Sequence, residues 1–591
     1  MVIDEGKKYI LTNYEQVKKG GKASDTDHAT EILDVDLNII KEKPERRELF
    51  NFKNIDAQKL FQISTSETDE FSKCFTNMLP VHKQVERWRN VLQSHFKKSF
   101  TKIRITNKNF VKPINQSISK LIDQRNSLIQ KNENICQVQV FDRRISEMEA
   151  EEKRNLIIKH FKSFSEDSEN INLHQVWKTL KNLWPKCGQN LPSAKRNFRG
   201  KIVSGPTELK KLLAQEYKER LRCRPRRPDF LEILAKRKSI FKMKLKLAEN
   251  NKSSPWLMSH LERALKDLKK DKSRDHEGLI NEIFQIGVIG HDLKESMLMM
   301  FNKLKREKKI VSFMTYSNIT TVPKKGSKLE LKNERGIFRV SVPRSILMRM
   351  IYNDEYPVID DNMSDCQMGA RKNKGCKNNI FIVNGIIHDV LRSKRKNPVL
   401  LQIYDYAQMF DSIDLEEAIS DIYDAGFKDD KLALVYEANK EIEMAVNTPS
   451  GLSERQIIKN SVLQGDTWGS ILASVQVDSI GKDCKEAGYD YLYKDALEVN
   501  VLGLVDDMIG VTEAGYQAQQ MNVFLNVKSA EKGLQFGKKK CKAMLIGNNN
   551  ELMVDTWKVI HKKNLETGED VLVETYEGEV TIEITEEQKY L

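Results

Sequence analysis

Two adjacent aspartates, Asp506 and Asp507, stand between short apolar runs and are well suited to do chemistry. The surrounding stretch Val499–Thr512 reads V-N-V-L-G-L-V-D-D-M-I-G-V-T, which predicts a strand, a tight turn and a second strand. Neighbouring carboxylates repel each other, and a bound cation relieves that repulsion. Aspartate is also common in ordinary turns, so a plain hairpin is the alternative interpretation of this stretch.

A third acid, Asp405, ends the apolar run Val399–Tyr404, and an amphipathic helix is predicted from about Leu415. A carboxylate at a strand end is exposed but rigidly held, which suits a metal ligand. Asp411 or Asp414 could instead cap the following helix. Two acidic strand ends together indicate phosphoryl chemistry in which two Mg²⁺ ions activate a 3′-hydroxyl and stabilise pyrophosphate. Mn²⁺ could substitute for Mg²⁺.

The composition is that of a charged globular protein with a polyanionic partner. The chain has 591 residues, of which 39% are hydrophobic and 31% charged, and its formal net charge is +14. This charge favours nucleic acid as the partner. Its eight cysteines include no C-x-x-C pair, so reduced thiols are predicted. Because we find no signal peptide and no bilayer-spanning apolar run, we expect an intracellular protein, cytoplasmic or nuclear, without a membrane partner.

The first part of the chain has two kinds of pattern. Residues 1–40 carry strand-like runs and a polar cluster, Ser24–His28, in which Asp27 could orient His28. Residues 41–228 are predicted to be mostly helical, with an apolar stripe at helical spacing formed by Val81, Val85, Trp88, Leu92 and Phe96. The basic segment Arg220–Pro228 predicts an exposed linker or a strap that contacts phosphates.

The second part mixes strands and helices without a βαβα rhythm, which favours an α+β fold over a doubly wound sheet. Ser254-Pro255-Trp256 predicts a helix start with proline in the first turn. Leu279–Val288 predicts a helix, and Ile310–Met314 with Ile319–Val322 predicts a hairpin.

Three motifs stand in the order of the palm motifs of reverse transcriptases. They are Tyr404-Asp405…Phe410-Asp411, Val462-Leu463-Gln464-Gly465-Asp466 and Leu504-Val505-Asp506-Asp507. On these motifs the sequence resembles the reverse transcriptase of non-LTR (LINE-like) retrotransposons. Four further blocks support the resemblance in the same order: Lys272–Glu282, Asn333–Ile337, Gln367–Arg371 and Gly533–Lys542.

The resemblance implies a right-hand polymerase with fingers and an antiparallel palm sheet, preceded by a mostly helical linker. Asp405, Asp506 and Asp507 would be the catalytic, metal-ligating acids. The residues implied to bind the nucleotide, or to support it and the template, are Lys324, Arg335, Phe410, Gln464, Gly465, Lys540 and Lys542. Phe410 would exclude a ribose 2′-hydroxyl. The implied partners are an RNA template, a DNA primer or target, and dNTPs, whereas the oligomeric state is not indicated.

The resemblance also implies an order of domains. Asp27 and His28 would be the last catalytic residues of an apurinic-type endonuclease whose other parts are missing. The expected thumb is missing as well, because the chain stops just before the place where the family has it. The expected segments are 1–40 for the endonuclease remnant, 41–228 for the basic helical linker, 229–390 for the N-terminal extension and fingers, 391–550 for the palm, and 551–591 for a β-rich segment.

Three alternatives stay open. One is a truncated, catalytically dead relic that only binds RNA, as a missing thumb would favour. Another is an RNA-dependent RNA polymerase, although such enzymes usually have Gly-Asp-Asp and a polar gate residue where this chain has Val-Asp-Asp and Phe410. The third is an ordinary α+β protein with coincidental acids. The departures from the family pattern are Leu504-Val505 in the hairpin, Gly469-Ser470 for Ser-Pro, Gly336 for proline and Ala370 for phenylalanine.

Overall fold

The computed structural model divides the chain into two compact units, Met1–Arg47 with Ile105–Gly205, and Glu48–Arg104 with Pro206–Leu591. The described residues are 10–16, 31–36, 47–50, 68–75, 79–99, 102–105, 117, 120–121, 124, 140–141, 144, 147–148, 151, 195–197, 202–203, 206–222, 230–270, 272–285, 289–324, 330–392, 398–448, 451–459, 462–493, 497–513, 515–537, 540–547, 556–557, 561–563, 571–573 and 582–584. Asp27 and His28 lie outside them, so their endonuclease assignment stays a prediction.

In the first unit, the described elements are two antiparallel strand pairs. Ile10–Gln16 pairs with Glu31–Asp36, and the second strand agrees with one of the predicted runs. Lys195–Arg196 pairs with Ile202–Val203.

The helices whose bounds the structure describes lie in the second unit. An apolar face positions them, as in the helix Val81–Ser99, whose predicted stripe is buried. The Trp88 indole nitrogen donates to Ser296 Oγ at 2.9 Å, so this helix packs on the helix His291–Glu307. The helices are Thr68–Lys73, Val81–Ser99, Pro206–Arg220, Leu231–Asn250, Met258–Lys266, His291–Glu307, Ser312–Thr315, Val342–Asn362, Cys376–Arg392, Met409–Ser412, Leu415–Asp424, Lys431–Lys440, Gly469–Glu486 and Tyr516–Glu531, with 3₁₀ turns at Asn281–Phe284 and Leu331–Asn333.

A six-stranded sheet, here called the central sheet, lies within the second unit. Its strand order is Val501–Leu504, Asp507–Glu513, Val399–Asp405, Lys542–Ile546, Ile582–Ile584 and Thr556–Trp557. Its pairings are antiparallel, except that Lys542–Ile546 and Ile582–Ile584 run parallel. The strand Val399–Asp405 has the predicted bounds and is almost entirely buried. It reads as a continuous apolar run because cores lie on both of its faces, one including Leu400 and the other Leu401.

A second sheet, here called the outer sheet, has five strands. Tyr316–Pro323 lies between Glu334–Arg339, which is antiparallel to it, and Glu441–Thr448, which is parallel to it. The short strands Gly451–Leu452 and Gln456–Lys459 also pair with Glu441–Thr448. Together the two sheets and the intervening helices form an α+β architecture, which confirms the predicted class.

Three local predictions were wrong. Ser312–Thr315 is a helical turn, and the strand that follows, Tyr316–Pro323, pairs with Glu334–Arg339 instead of forming a hairpin with residues 310–314. In the described part of the stretch predicted as the helix Leu279–Val288, residues 279–285, the structure has the short 3₁₀ turn Asn281–Phe284 instead of an α-helix. The helix predicted at Ser254 begins at Met258, so its proline precedes the first turn.

The remaining short strands are Arg47–Phe50, Lys102–Ile105, Tyr491–Tyr493, Leu497–Val499, His561–Lys563 and Val571–Val573. None of the helices within the described ranges combines the length and the apolar character needed to cross a bilayer. The expected domain boundaries and the missing thumb stay predictions.

Candidate active site

The central sheet brings the three predicted acids to one end of two neighbouring strands. Asp405 is the register partner of Asp507, and Asp507 is also the partner of Leu504 across the hairpin. Directly paired residues of antiparallel strands have their Cβ atoms about 4.5–5.5 Å apart and on the same face. Asp506 occupies the two-residue turn between the hairpin strands. Three carboxylates from two segments that are distant in the sequence therefore lie at one end of the central sheet.

The hairpin turn is strained at the residue before the aspartate pair. Val505 has a φ of +62°, a left-handed conformation that a β-branched residue rarely adopts. Such strain costs about 1–3 kcal/mol and persists only where the surroundings over-determine the backbone. The turn must therefore be held by other parts of the chain.

The predicted block Gln367–Arg371 holds this turn. Gln367 Oε1 accepts hydrogen bonds from the main-chain nitrogens of Val505 at 3.2 Å and Gly369 at 2.8 Å. The Met368 nitrogen donates to Gly503 O at 2.9 Å. A Cβ added at Gly369 would lie 2.0 Å from the Val505 nitrogen. The block thus determines the position of the hairpin, and motif order was the one sequence feature that indicated this contact.

Mutual repulsion and burial raise the proton affinity of the hairpin acids. Burial is the main cause of a raised pKa at Asp506, with a further contribution from Asp405. Burial, then Asp506 and Asp405, raise the pKa of Asp507 to about 6. The Lys540 ammonium opposes both shifts and bonds Asp405 at 2.7 and 3.0 Å. A positive charge is therefore favoured at this cluster.

The donor set fits a hard divalent cation. It consists of carboxylate oxygens alone, which Mg²⁺ prefers, and a bound cation would relieve the repulsion between them. Among the described residues, one group of three possible metal ligands has its ligand atoms within 4.8 Å of one another, and its members are His291, Asp292 and Glu295. The carboxylates of Asp405, Asp506 and Asp507 are therefore further apart than this in the state in which Lys540 is bonded to Asp405. The group that includes His291 lies on the surface at a helix start, and nothing else in the described structure points to an ion there.

We expect Asp507→Asn to stabilise the metal-free protein near neutral pH. A carboxyl whose folded pKa of about 6 exceeds its unfolded value of about 4 disfavours folding once it ionises. After allowance for solvent screening, the gain should be about 1 kcal/mol, or roughly 2–4 °C in Tm, at pH 7–8. It should shrink progressively as the pH falls from 6 to 4. Thermal denaturation in chelator measures this, with exposed Asp361→Asn as control, and an equal gain at both ends of the pH range would contradict the prediction.

Two of the predicted nucleotide-binding residues lie at the base of one loop in the outer sheet. Lys324 follows the strand Tyr316–Pro323, and its main-chain nitrogen donates to Asn333 O at 2.7 Å. Arg335 is exposed on the paired strand. Burial, Arg220, Arg335 and Lys540 lower the pKa of Lys324, whereas Asp411 opposes the shift. Besides the buried Arg220, the three cationic groups of Lys324, Arg335 and Lys540 are close enough to influence one another, which suits an oligophosphate.

Gln464 and Gly465 lie against the strand that carries Arg335. The Phe338 main-chain nitrogen donates to Gln464 O at 3.0 Å. Gly465 has a φ of +110°, and a Cβ there would lie 3.1 Å from Phe338 O. Only glycine satisfies both conditions without strain. The motif thus packs on the outer-sheet strand Glu334–Arg339.

Sequence reasoning missed the residue that holds this motif in place. Arg344 is buried, and its guanidinium bonds Asp466 at 2.7 Å, Asn439 Oδ1 at 2.9 Å and the main-chain oxygens of Met314 and Ala438. A buried charge pair is stable only when its remaining hydrogen-bonding groups are satisfied, as most are here. The sequence feature that could have indicated a buried, paired arginine is its position within the apolar run S-V-P-R-S-I-L-M.

The Gly469 departure from the family pattern has a steric reason. A Cβ there would lie 2.4 Å from Leu463 O. The helix Gly469–Glu486 therefore starts closer to the Leu463 main chain than serine would allow.

The remaining predicted residues are placed as follows. Phe410 lies in the short helix Met409–Ser412 and is half-buried against the core. The cap of the helix beginning at Leu415 is Asp414, which accepts from the Glu416 nitrogen at 3.0 Å. Lys540 contacts Asp405, whereas Lys542 lies in the neighbouring strand as the register partner of Ile403.

The supporting block Lys272–Glu282 has a packing role. Asp275 is buried and accepts from the main-chain nitrogens of Leu279 at 2.8 Å and Glu277 at 2.9 Å. Its second oxygen accepts from the Val342 nitrogen at 3.0 Å, at the start of the helix Val342–Asn362. Because that helix carries Arg344, this block positions the site from a distance.

Residues 322–590 match the family described as reverse transcriptase (RNA-dependent DNA polymerase). The match includes the three aspartates and all the predicted nucleotide-binding residues. Residues 322–590 are therefore similar to a reverse transcriptase domain, and this similarity supports RNA-directed DNA polymerase activity. Polymerases of this family generally use divalent metals, an RNA template, a primer and nucleotides.

Proposed function

We propose that this reverse transcriptase domain is the polymerase of a non-LTR retrotransposon and extends a DNA 3′-hydroxyl on an RNA template by two-metal nucleotidyl transfer. The observation that carries the proposal is the register pairing of Asp405 with Asp507 beside the Asp506 turn. The non-LTR type rests on the ordered sequence motifs.

In this mechanism Asp405, Asp506 and Asp507 would hold Mg²⁺, and the bound metal would supply Lewis-acid activation of the 3′-hydroxyl and neutralising charge for the pyrophosphate leaving group. Lys324 and Arg335 bind the triphosphate of the incoming dNTP, and the guanidinium of arginine matches two phosphate oxygens at once. Those two residues flank the base of one loop, and the positive charge of Arg335 opposes the rise in the pKa of Asp506. In this proposal the outer sheet supplies the cationic side chains that bind the triphosphate, and the central sheet supplies the carboxylates that hold the metal.

Lys540 has two successive roles in this proposal. It neutralises Asp405 in the metal-free protein through the contacts at 2.7 and 3.0 Å. Its side chain is 67% exposed and flexible, so it is free to turn to the pyrophosphate when Asp405 binds a cation instead.

Primer extension tests the proposed function. The full chain is incubated with a DNA primer annealed to an RNA template, four dNTPs and Mg²⁺ or Mn²⁺, and labelled product is resolved by length. We expect template-directed extension that chelator abolishes. Salt-sensitive RNA binding without product in either metal would favour the alternative of a relic that only binds RNA.

We expect Phe410→Ala to weaken discrimination against ribonucleotides. The half-buried ring next to Asp411 is the proposed barrier to a 2′-hydroxyl. The ratio of kcat/KM for dNTP to that for rNTP should fall by about tenfold or more, while dNTP use changes less. Single-nucleotide incorporation measures both. A wild-type protein that already uses both sugars equally would favour the RNA polymerase alternative.

A further inference from the structure

The helix Pro206–Arg220 lies before the matched family residues, yet its last turn contacts the strand that carries Arg335. The Arg220 side chain is 3% exposed. Its guanidinium donates to Leu331 O at 2.7 Å, to Glu334 O at 2.9 Å and to Glu216 at 2.8 Å. The sequence-based expectation of an exposed linker or a phosphate strap is therefore wrong for Arg220.

The neighbouring Tyr217 completes this contact. Its ring is buried and lies 4.8 Å from the guanidinium carbon of Arg220, a cation–π geometry. A Cβ at Gly336 would lie 2.5 Å from Tyr217 Cε1. The family proline at this position would collide with the ring, so Gly336 and Tyr217 are sterically matched. Arg335 thus lies between Glu334, bonded by Arg220, and Gly336, covered by Tyr217.

The contact is well suited to hold a backbone rather than to bind a ligand. Two of its hydrogen bonds go to main-chain carbonyl oxygens, and Glu216 neutralises the buried charge. Charge-assisted bonds of this kind are stronger than neutral ones. Loss of the guanidinium leaves two carbonyl groups and a carboxylate without this donor. The loop base, including Asn333 bonded to the Lys324 nitrogen, would then be freer to move.

We propose that Tyr217 and Arg220 act as positioning residues that fix Arg335 and Lys324 for the triphosphate. This inference rests on the proposed function, because it concerns how that site binds its nucleotide. Neither residue touches the nucleotide itself. The segment before the matched domain thereby becomes part of the nucleotide site.

Variants of Arg220 in the full chain test this. We expect Arg220→Gln to raise the KM for dNTP about tenfold with a smaller change in kcat. Arg220→Lys retains the charge but not the two-pronged geometry, so its KM should be intermediate. Arg222→Gln is the matched control, since Arg222 is 76% exposed two residues further on. An unchanged KM in Arg220→Gln would overturn the proposal.

Hydrogen exchange separates this proposal from the proposed function. We expect faster exchange of the amides of residues 331–338 in Arg220→Gln than in wild type or Arg222→Gln, whether or not the protein polymerises. A wild type that fails to extend primers would refute the function alone, whereas unchanged exchange would refute the positioning role. Faster exchange with unchanged KM would also refute it, because the strand would then be held without consequence for the nucleotide.

A second pair of variants distinguishes a local steric effect from general unfolding. Gly336→Ala should raise the KM for dNTP, because its Cβ would strike the Tyr217 ring. Tyr217→Leu in the same chain should recover part of the loss by removing the ring. A double variant no better than Gly336→Ala would show that the ring is not the cause.

Discussion

Asp405→Asn and Asp506→Asn are each expected to lower primer extension by at least about 10³-fold, equivalent to roughly 4 kcal/mol of barrier. Asparagine keeps the shape of the side chain but removes the charge that holds a divalent cation. Lys540 would lose its ionic partner at Asp405 as well. The measurement is the rate of single-nucleotide addition with saturating Mg²⁺ and primer–template.

Asp361→Asn is the matched control for both variants, because it changes an exposed carboxylate near the end of the helix Val342–Asn362. Its activity should equal that of wild type. Far-ultraviolet circular dichroism spectra and Tm values should show that all three variants are folded. Extension by Asp405→Asn or Asp506→Asn at the control rate would refute their assignment as metal ligands.

The fold class and several elements of the central sheet were predictable from the sequence because their signals are local. Val399–Asp405 is a continuous apolar run ending in an acid, and the hairpin around Asp506 has two apolar strands with a short turn. A continuous apolar run of this length is typical of a strand that is buried on both faces. Local patterns also placed a helix cap near Leu415, although choosing Asp414 required the structure.

What escaped prediction depends on pairing between distant segments. The sequence near residue 316 predicts a strand but does not indicate which strands it pairs with. A hairpin within residues 310–322 was predicted, whereas the strand Tyr316–Pro323 pairs with Glu334–Arg339 and Glu441–Thr448. The Arg344–Asp466 bond likewise joins residues that no local pattern connects. The ring of Tyr217 packs against Gly336 of another element, where a Cβ would leave no room for it. Register and complementarity of this kind are properties of the packed chain.

The hairpin acids also depend on a residue that carries no functional group. Gly369 lies where a Cβ would be 2.0 Å from the Val505 nitrogen and 2.7 Å from Val505 Cγ2. The first of these atoms is main chain, so relief requires the turn or the Gln367 block to move. Because Val505 is already in a left-handed conformation, the turn has little freedom to adjust without moving Asp506.

We therefore expect Gly369→Ala to lower extension by about 100-fold or more while the protein stays folded, since misplacement by about 1 Å is enough for such a loss. Gly375→Ala is the matched control, because nothing lies within 4 Å of its added Cβ. Single-nucleotide addition and Tm are measured for both. Full activity in Gly369→Ala would mean that the hairpin acids tolerate displacement. Loss of activity in both variants would show instead that this segment needs glycine for flexibility, and the steric argument would fail.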